Sequence, residues 1–330
     1  MNETVRIVRV AIPCYNYGRF LSTCVGTILA QQGVEVQVLI IDDASRDNSQ
    51  QVAAGLASSD SRVRVRTHAT NIGHLRTYNE GLEWTAEAPF TVLISPDDAL
   101  TPGALQRACD LFEAHPEVGL VYGNARVFRG EGPLPQADLS PPRWNISRGF
   151  DWFTTRCERA GNCISSPEAV MRSSVLQRAA FYRLDLPHSG DFELWMRMAL
   201  HGDVAFIDGP HQAYYRDHGL GMHRVDFGTP LADLTEVKKA FDVLFQHHRA
   251  QIPGCDRLKE VVKRRIAVRA LKAARKLLHH TPRDRAAIEA LQQFAIANCG
   301  DIRELPEYRE FIADKMKPAL VNMRSAQKPR

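Results

Sequence analysis

Apolar residues recur along the first half of the chain in two alternating rhythms. Val5–Ile12 alternates and then runs apolar, which predicts a first strand. After Pro13-Cys14-Tyr15-Asn16-Tyr17-Gly18, the residues Phe20, Leu21, Cys24, Val25, Ile28 and Leu29 share one face of a helix, which closes at Gln31-Gln32-Gly33. Val36–Ile41 predicts a second buried strand ending in Asp42-Asp43-Ala44-Ser45. Asn48–Leu56 reads as a helix, Val63–Arg66 as a half-exposed strand, Asn71-Ile72-Gly73 as a turn and Leu75–Ala86 as a helix. The short apolar run Phe90–Ile94 is a fourth strand and stops at Ser95-Pro96-Asp97-Asp98. A helix over Ala104–Ala114 and a strand over Val118–Phe128 follow.

Strands alternating with helices in this way predict an α/β domain, with a mostly parallel sheet and helices on both faces. Ligands bind such sheets outside the carboxyl ends of the strands. Three of those ends carry polar groups, Tyr15-Asn16, Asp42-Asp43 and Asp97-Asp98, and two of the three are acidic pairs. Acidic pairs at two strand ends suggest a shared site.

Past Phe128 the pattern loosens. Arg129–Gly149 is rich in Gly and Pro and reads as a long surface loop, with Trp144 in it and Trp152 just after it. Those rings suit core packing or stacking on a sugar face. Ala169–Met171 predicts a short strand, with a helix from Ser173, and Val204–Ile207 another strand before Tyr214-Tyr215-Arg216-Asp217-His218. From Leu231 onward the chain is helical: 231–249, 256–280, 282–298 and 304–316, with Thr281-Pro282 as a helix start signal. The expected organisation is a domain over residues 1–228, with halves of about 1–128 and 129–228, and a C-terminal helical region over 229–330.

Composition narrows the classes. A net charge of +4 over 330 residues does not argue for nucleic acid. Neither a signal peptide nor a membrane-spanning run is visible, so a cytoplasmic protein is expected. The seven Cys lack CxxC spacing, which leaves reduced, mostly buried thiols. The helix over 256–280 is strongly basic; it suits a solvated face or docking at the inner surface of an anionic membrane or on an acidic partner.

Candidate chemistry starts from Asp97-Asp98. Two carboxylates at the end of a buried strand repel unless donors or a cation compensate them. A divalent ion with oxygen ligands is one compensation and an ordinary turn the alternative. Asp191 opens the predicted helix Phe192–Met198, where it serves as an N-cap, as a general base, or as both. His218, in a loop, is a solvated side chain or a ligand. A G-x-G-x-x-G after the first strand and a Walker A sequence are both missing.

Taken in order, Val10–Asn16, Val38–Ser45, Asn71-Ile72-Gly73, Ile94–Asp98 and Gly190–Arg197 resemble the motifs of a family 2 glycosyltransferase with the GT-A fold. The resemblance spans residues 5–225 or so. It implies an inverting transfer from a nucleotide-diphosphate sugar, UDP- or dTDP-linked, with Mn²⁺ or Mg²⁺ as cofactor. The acceptor would be a carbohydrate, a lipid-linked sugar or a small molecule, and the oligomeric state stays open, a dimer included. It implies that Pro13 and Tyr15 frame the nucleoside and that Asp43, with Asp42 beside it, binds the base. Arg76 would touch phosphate or ribose, and Asp98 would belong to the donor site. Asp97 would hold the metal, with His218 a further candidate. Asp191 would be the catalytic base, with Trp195 and Arg197 on the acceptor side. Three positions depart from the family pattern: Ser95 replaces the first acid of D-x-D, Gly190 replaces a Glu before the base, and Tyr78 replaces an Arg before Asn79. A sugar nucleotidyltransferase, or a non-catalytic nucleotide-sugar-binding scaffold, is the competing reading.

Overall fold

The computed structural model of the chain describes residues 6–218, 228–281 and 284–326. Pro282 and the far end of the 5–225 span lie outside the described residues. The chain separates into two compact units, one of Met1–Phe153 and Asn162–Gly221, the other of Thr154–Gly161 and Met222–Arg330.

The first unit is built on a nine-stranded sheet. Strands β1 (Ile7–Cys14), β2 (Glu35–Asp42), β3 (Val63–Thr67) and β4 (Phe90–Leu93) are joined by helices α1 (Gly18–Leu29), α2 (Ser49–Ser59) and α3 (His74–Thr85). They lie in the order β3-β2-β1-β4, all parallel. The continuous apolar runs of β1 and β2 follow from their central place, where both faces are covered. β3 is the edge, and its alternate arginines face water. Helix α3 packs so close to β1 that a Cβ on Gly81 would come within 2.7 Å of the Ala11 side chain.

Beyond β4 the sheet is mixed. β8 (Val170–Arg172) runs antiparallel between β4 and β6 (Val118–Arg129). β9 (Asp203–Asp217) is parallel to β6 and also pairs with two short strands, β5 (Ala99–Leu100) and β7 (Arg143–Ser147). The sequence pattern missed both. Two residues are too few to show a period, and β7 lies inside the stretch read as a loop. Helices α4 (Ala104–Ala114), α5 (Gly149–Arg159), α6 (Ser173–Ala179) and α7 (Gly190–Ala199) complete the element order through β9, with the end of α5 in the second unit. Trp152 is buried on α5, its indole N–H donating to the Tyr122 hydroxyl at 3.4 Å, whereas Trp144 is 38% exposed on β7.

The second unit holds α8 (Pro230–His247), α9 (Cys255–His280), α10 (Arg285–Asn298) and α11 (Pro306–Ala326). Its core joins Leu234, Leu271, Leu291 and Phe311. Thr229 caps α8 through its hydroxyl, and Asp284, rather than the expected Thr281, caps α10. Among the described residues no helix is long and apolar enough to cross a membrane.

Candidate active site

The carboxyl ends of β1 and β2 are tied to each other through side chains. Asn16 and Ala44 sit in the left-handed region, at φ 61° and 60°, which turns both loops sharply. The Asn16 amide donates to Ser45 Oγ at 2.9 Å, and the Arg46 amide donates to Asn16 Oδ1 at 2.7 Å. Gly18 opens α1 against the start of α2, where a Cβ would overlap Asn48 and Ser49. Tyr15 projects from this ridge, 39% exposed, while Pro13 is buried in the strand beneath it.

Both acids of the Asp42-Asp43 pair turn inward. Asp42 is fully buried; its Oδ1 accepts from the Ser45 amide at 2.9 Å and from Gln50 Nε2 at 3.0 Å. Its Oδ2 has no hydrogen-bond partner among the described residues. Asp43, 3% exposed, accepts from the amides of Ile72 and Gly73 at 2.8 and 3.0 Å and faces His68 Nδ1 at 2.8 Å. His68 reaches Glu80 with its other nitrogen at 2.7 Å, and these two acids hold its pKa up against its own burial. The Asn71-Ile72-Gly73 turn therefore folds back onto β2, and Asp43 anchors the start of α3. The donor-base role expected for this pair meets side chains whose lone pairs are largely occupied or enclosed. Arg76, on the first turn of α3, is exposed.

Asp97 and Asp98 part company. Asp98 is 4% exposed and accepts from the Arg216 amide at 3.0 Å; burial raises its carboxyl pKa well above the usual range. Its neighbour Asp97 is half-buried and meets His218 Nε2 at 2.9 Å. Burial raises the Asp97 carboxyl too, and His218 opposes that rise. His218 also lies 3.4 Å from the Tyr17 hydroxyl. The Arg216 guanidinium spans Phe20 and Phe128 at 4.6 and 4.4 Å and donates to the Asp97 carbonyl at 3.0 Å. Like-charge repulsion at this strand end is thus relieved by turning one acid inward, beneath an arginine. Asp98 belongs to that support rather than to a surface open to a donor. Among the described residues no group of three or more His, Cys, Asp or Glu is placed to hold a metal.

Asp191 lies in the first turn of α7, with Ser189 at the N-cap. It is half-buried, meets the Phe192 amide at 2.6 Å and accepts from Asn162 Nδ2 at 3.1 Å. Burial pushes its carboxyl up to about 6. Trp195 and Arg197, expected on the acceptor side, are 2% and 3% exposed. Arg197 pairs with buried Glu193 at 2.7 and 2.8 Å and donates to the carbonyl of Phe181 at 2.7 Å. From Phe192 to Ala199 every residue of α7 is buried, so both side chains hold this helix and the segment before it.

Tyr78 packs on the segment that leads to Asp191. It lies within electrostatic reach of both Asp97 and Asp191, and its ring packs edge-on against Tyr182 at 5.6 Å. Asn79, next along α3, clamps the Tyr182 backbone in both directions, each at 2.8 Å. Tyr17, Asn162, His68 and the Asn79 clamp were not recognised in the sequence, since nothing in their spacing signals such contacts. Tyr78 stood out only as a departure from a pattern.

The family model described as Glycosyl transferase family 2 matches residues 9–177, just over half the chain. The chain belongs to that family. It is a glycosyltransferase. Relatives include an uncharacterized protein of Mycobacterium tuberculosis, 28% identical over 66% of this chain and 69% of the relative. An uncharacterized glycosyltransferase of Nostoc sp. is 27% identical over 66% of each chain. In fold, this glycosyltransferase is similar to S. aureus TarS 1–349 in complex with UDP-GlcNAc, at a TM-score of 0.62 and 14% identity over 99% of this chain and 93% of that one. It is also similar to the Pyrobaculum calidifontis mannosyltransferase PcManGT in complex with GDP-Man and Mn²⁺, at 0.58 and 14%, over 96% and 87%. The shared fold is GT-A.

Proposed function

We propose that this glycosyltransferase moves a sugar from a nucleotide-diphosphate sugar to an acceptor hydroxyl in a single displacement, with inversion and with Asp191 as general base. The observation that carries the reading is Asp191 itself. A half-buried carboxylate held by Asn162, with its pKa near 6, stays ionised at neutral pH and takes a proton readily. The acceptor O–H gives its proton to Asp191 as its oxygen bonds to the anomeric carbon. The bond from that carbon to the diphosphate oxygen breaks, and its electron pair leaves with the nucleoside diphosphate. One carboxylate serves this step; a retaining glycosidase needs two, about 5 Å apart.

On the donor side, Tyr15 offers an exposed ring for the nucleoside, and Arg76 an exposed cation for phosphate. Asp43 acts beneath them by holding the turn before α3. Asp97 and His218 place a carboxylate and an imidazole side by side, which fits a divalent cation that takes its remaining ligands from water and phosphate. Bound there, Mn²⁺ or Mg²⁺ would offset charge growing on the leaving diphosphate. Solved structures of similar fold with UDP-GlcNAc, or with GDP-Man and Mn²⁺, support this class of donor.

The test is to incubate the protein with UDP-, dTDP- and GDP-sugars, Mn²⁺ and simple sugar acceptors. Chromatography follows free nucleoside diphosphate, and proton NMR reads the anomeric configuration of the product. Inversion supports the reading. Retention, or binding without any nucleotide release, overturns it.

A further inference from the structure

Helix α3 joins the donor end of the site to its base end. Its start is fixed on Asp43 through the Ile72 and Gly73 amides. His74, the first residue of the helix, approaches the Pro187 carbonyl with Nε2 at 3.0 Å, and Asn79 further along grips Tyr182. The segment from Tyr182 to Ser189, which delivers Asp191, is thus pinned to α3 at two points. Tyr78 lies between them, its ring edge-on to His74 at 5.4 Å and to Tyr182 at 5.6 Å. Gly190 makes room for this packing, because a Cβ there would come within 3.1 Å of the Tyr182 ring. Two departures from the family pattern, a tyrosine before Asn79 and a glycine before the base, are therefore parts of one aromatic wall.

Both neighbouring rings contact the Tyr78 ring, which leaves its hydroxyl as the polar end. Among the described residues that hydroxyl makes no hydrogen bond. It is half-buried and lies within reach of the charges of both Asp97 and Asp191. A phenol cannot neutralise a phosphate as an arginine can, but it both donates to and accepts from a sugar hydroxyl.

We propose that Tyr78 is a specificity-determining residue that hydrogen-bonds the donor sugar on the Asp191 side of the site and leaves the nucleoside diphosphate untouched. Burial and the surrounding acids raise its pKa, so it stays a neutral donor and acceptor throughout the working range. The inference rests on the donor site proposed above, and it assigns the sugar part of that site.

Calorimetry with Mn²⁺ separates the two. The probe is whichever of UDP-GlcNAc, UDP-glucose, dTDP-glucose and GDP-mannose most raises the wild-type melting temperature, paired with its own free nucleoside diphosphate. Tyr78→Phe keeps the ring and its packing. It should weaken the sugar nucleotide about tenfold and the free diphosphate by less than about twofold. Tyr78→Ala also removes the brace on Tyr182 and should lower the melting temperature, whereas Tyr78→Phe should not. Equal affinity of wild type and Tyr78→Phe for the sugar nucleotide overturns the assignment while the donor site stands. Parallel loss of both ligands moves Tyr78 to the phosphates and overturns it too. If wild type binds neither ligand, the donor site falls and this inference with it.

Discussion

The acids at the end of β2 and those at the end of β4 and the start of α7 look alike in sequence but are used differently. Asp42 and Asp43 are buried, and backbone amides of neighbouring turns, with Gln50 and His68, take up most of their lone pairs. Asp97 and Asp191 are half-buried, and among the described residues each meets a single side-chain partner, His218 or Asn162. The first pair shapes loops, while the second, in the function proposed here, keeps lone pairs for a ligand. A carboxylate at a strand end is thus a site candidate only if the surrounding backbone leaves it unsatisfied. Asp98 confirms the rule from within a single dipeptide, since turning onto the Arg216 amide removes it from any open surface.

Substitutions sharpen the contrast. Asp191→Asn should cut kcat by about a thousandfold with nucleotide affinity within about twofold, measured by steady-state kinetics and calorimetry. Retained turnover would place Asp191 with the structural acids. Asp43→Ala should behave in the opposite way. It strands two amides and His68, so unfolding should be easier by about 3 kcal/mol and Tm lower by roughly 6–12 °C, read by calorimetric melting. An unchanged Tm would move Asp43 into the reactive class. Asp97→Ala should weaken Mn²⁺-dependent nucleotide binding by about tenfold or more and leave metal-free binding alone, read by titration with and without Mn²⁺.

Acidity gives the smallest and most discriminating effects. With the Asp191 carboxyl near 6, kcat/KM should fall about tenfold per pH unit below that value, because protonation removes the base. Stability runs the other way. A carboxyl whose pKa is higher folded than unfolded costs stability as pH rises from about 4 through 6. Asp191→Asn should therefore melt above wild type near neutral pH, and the gap should close as the solution is acidified. A gap that persists at low pH would show that something other than the charge is relieved.

Most of the first half of the fold was legible in the sequence. β1, β2 and β4 are continuous apolar runs and α1 and α3 have clear faces, because a central parallel strand and a one-sided helix each impose their own period. β5 and β7 escaped because they owe their pairing to β9, far along the chain, rather than to their own residues. The candidate site was legible as a set of positions: Tyr15, Arg76, Asp97, Asp191 and His218. What each acid touches was not. Asp43 meets amides some 30 residues later, and Asp98 an amide 118 residues away. Trp195 and Arg197 share a helix with Asp191, but the rest of the chain encloses that helix on every side from Phe192 to Ala199, which no local spacing signals.

By itself the sequence determined that this protein is an α/β glycosyltransferase with acids at its strand ends, since periodicity and local motifs are properties of neighbouring residues. Only the tertiary structure decided which acids are enclosed and that Tyr78 packs between His74 and Tyr182. Desolvation and hydrogen-bond satisfaction depend on what the rest of the chain brings to each side chain, and no spacing along the sequence encodes that.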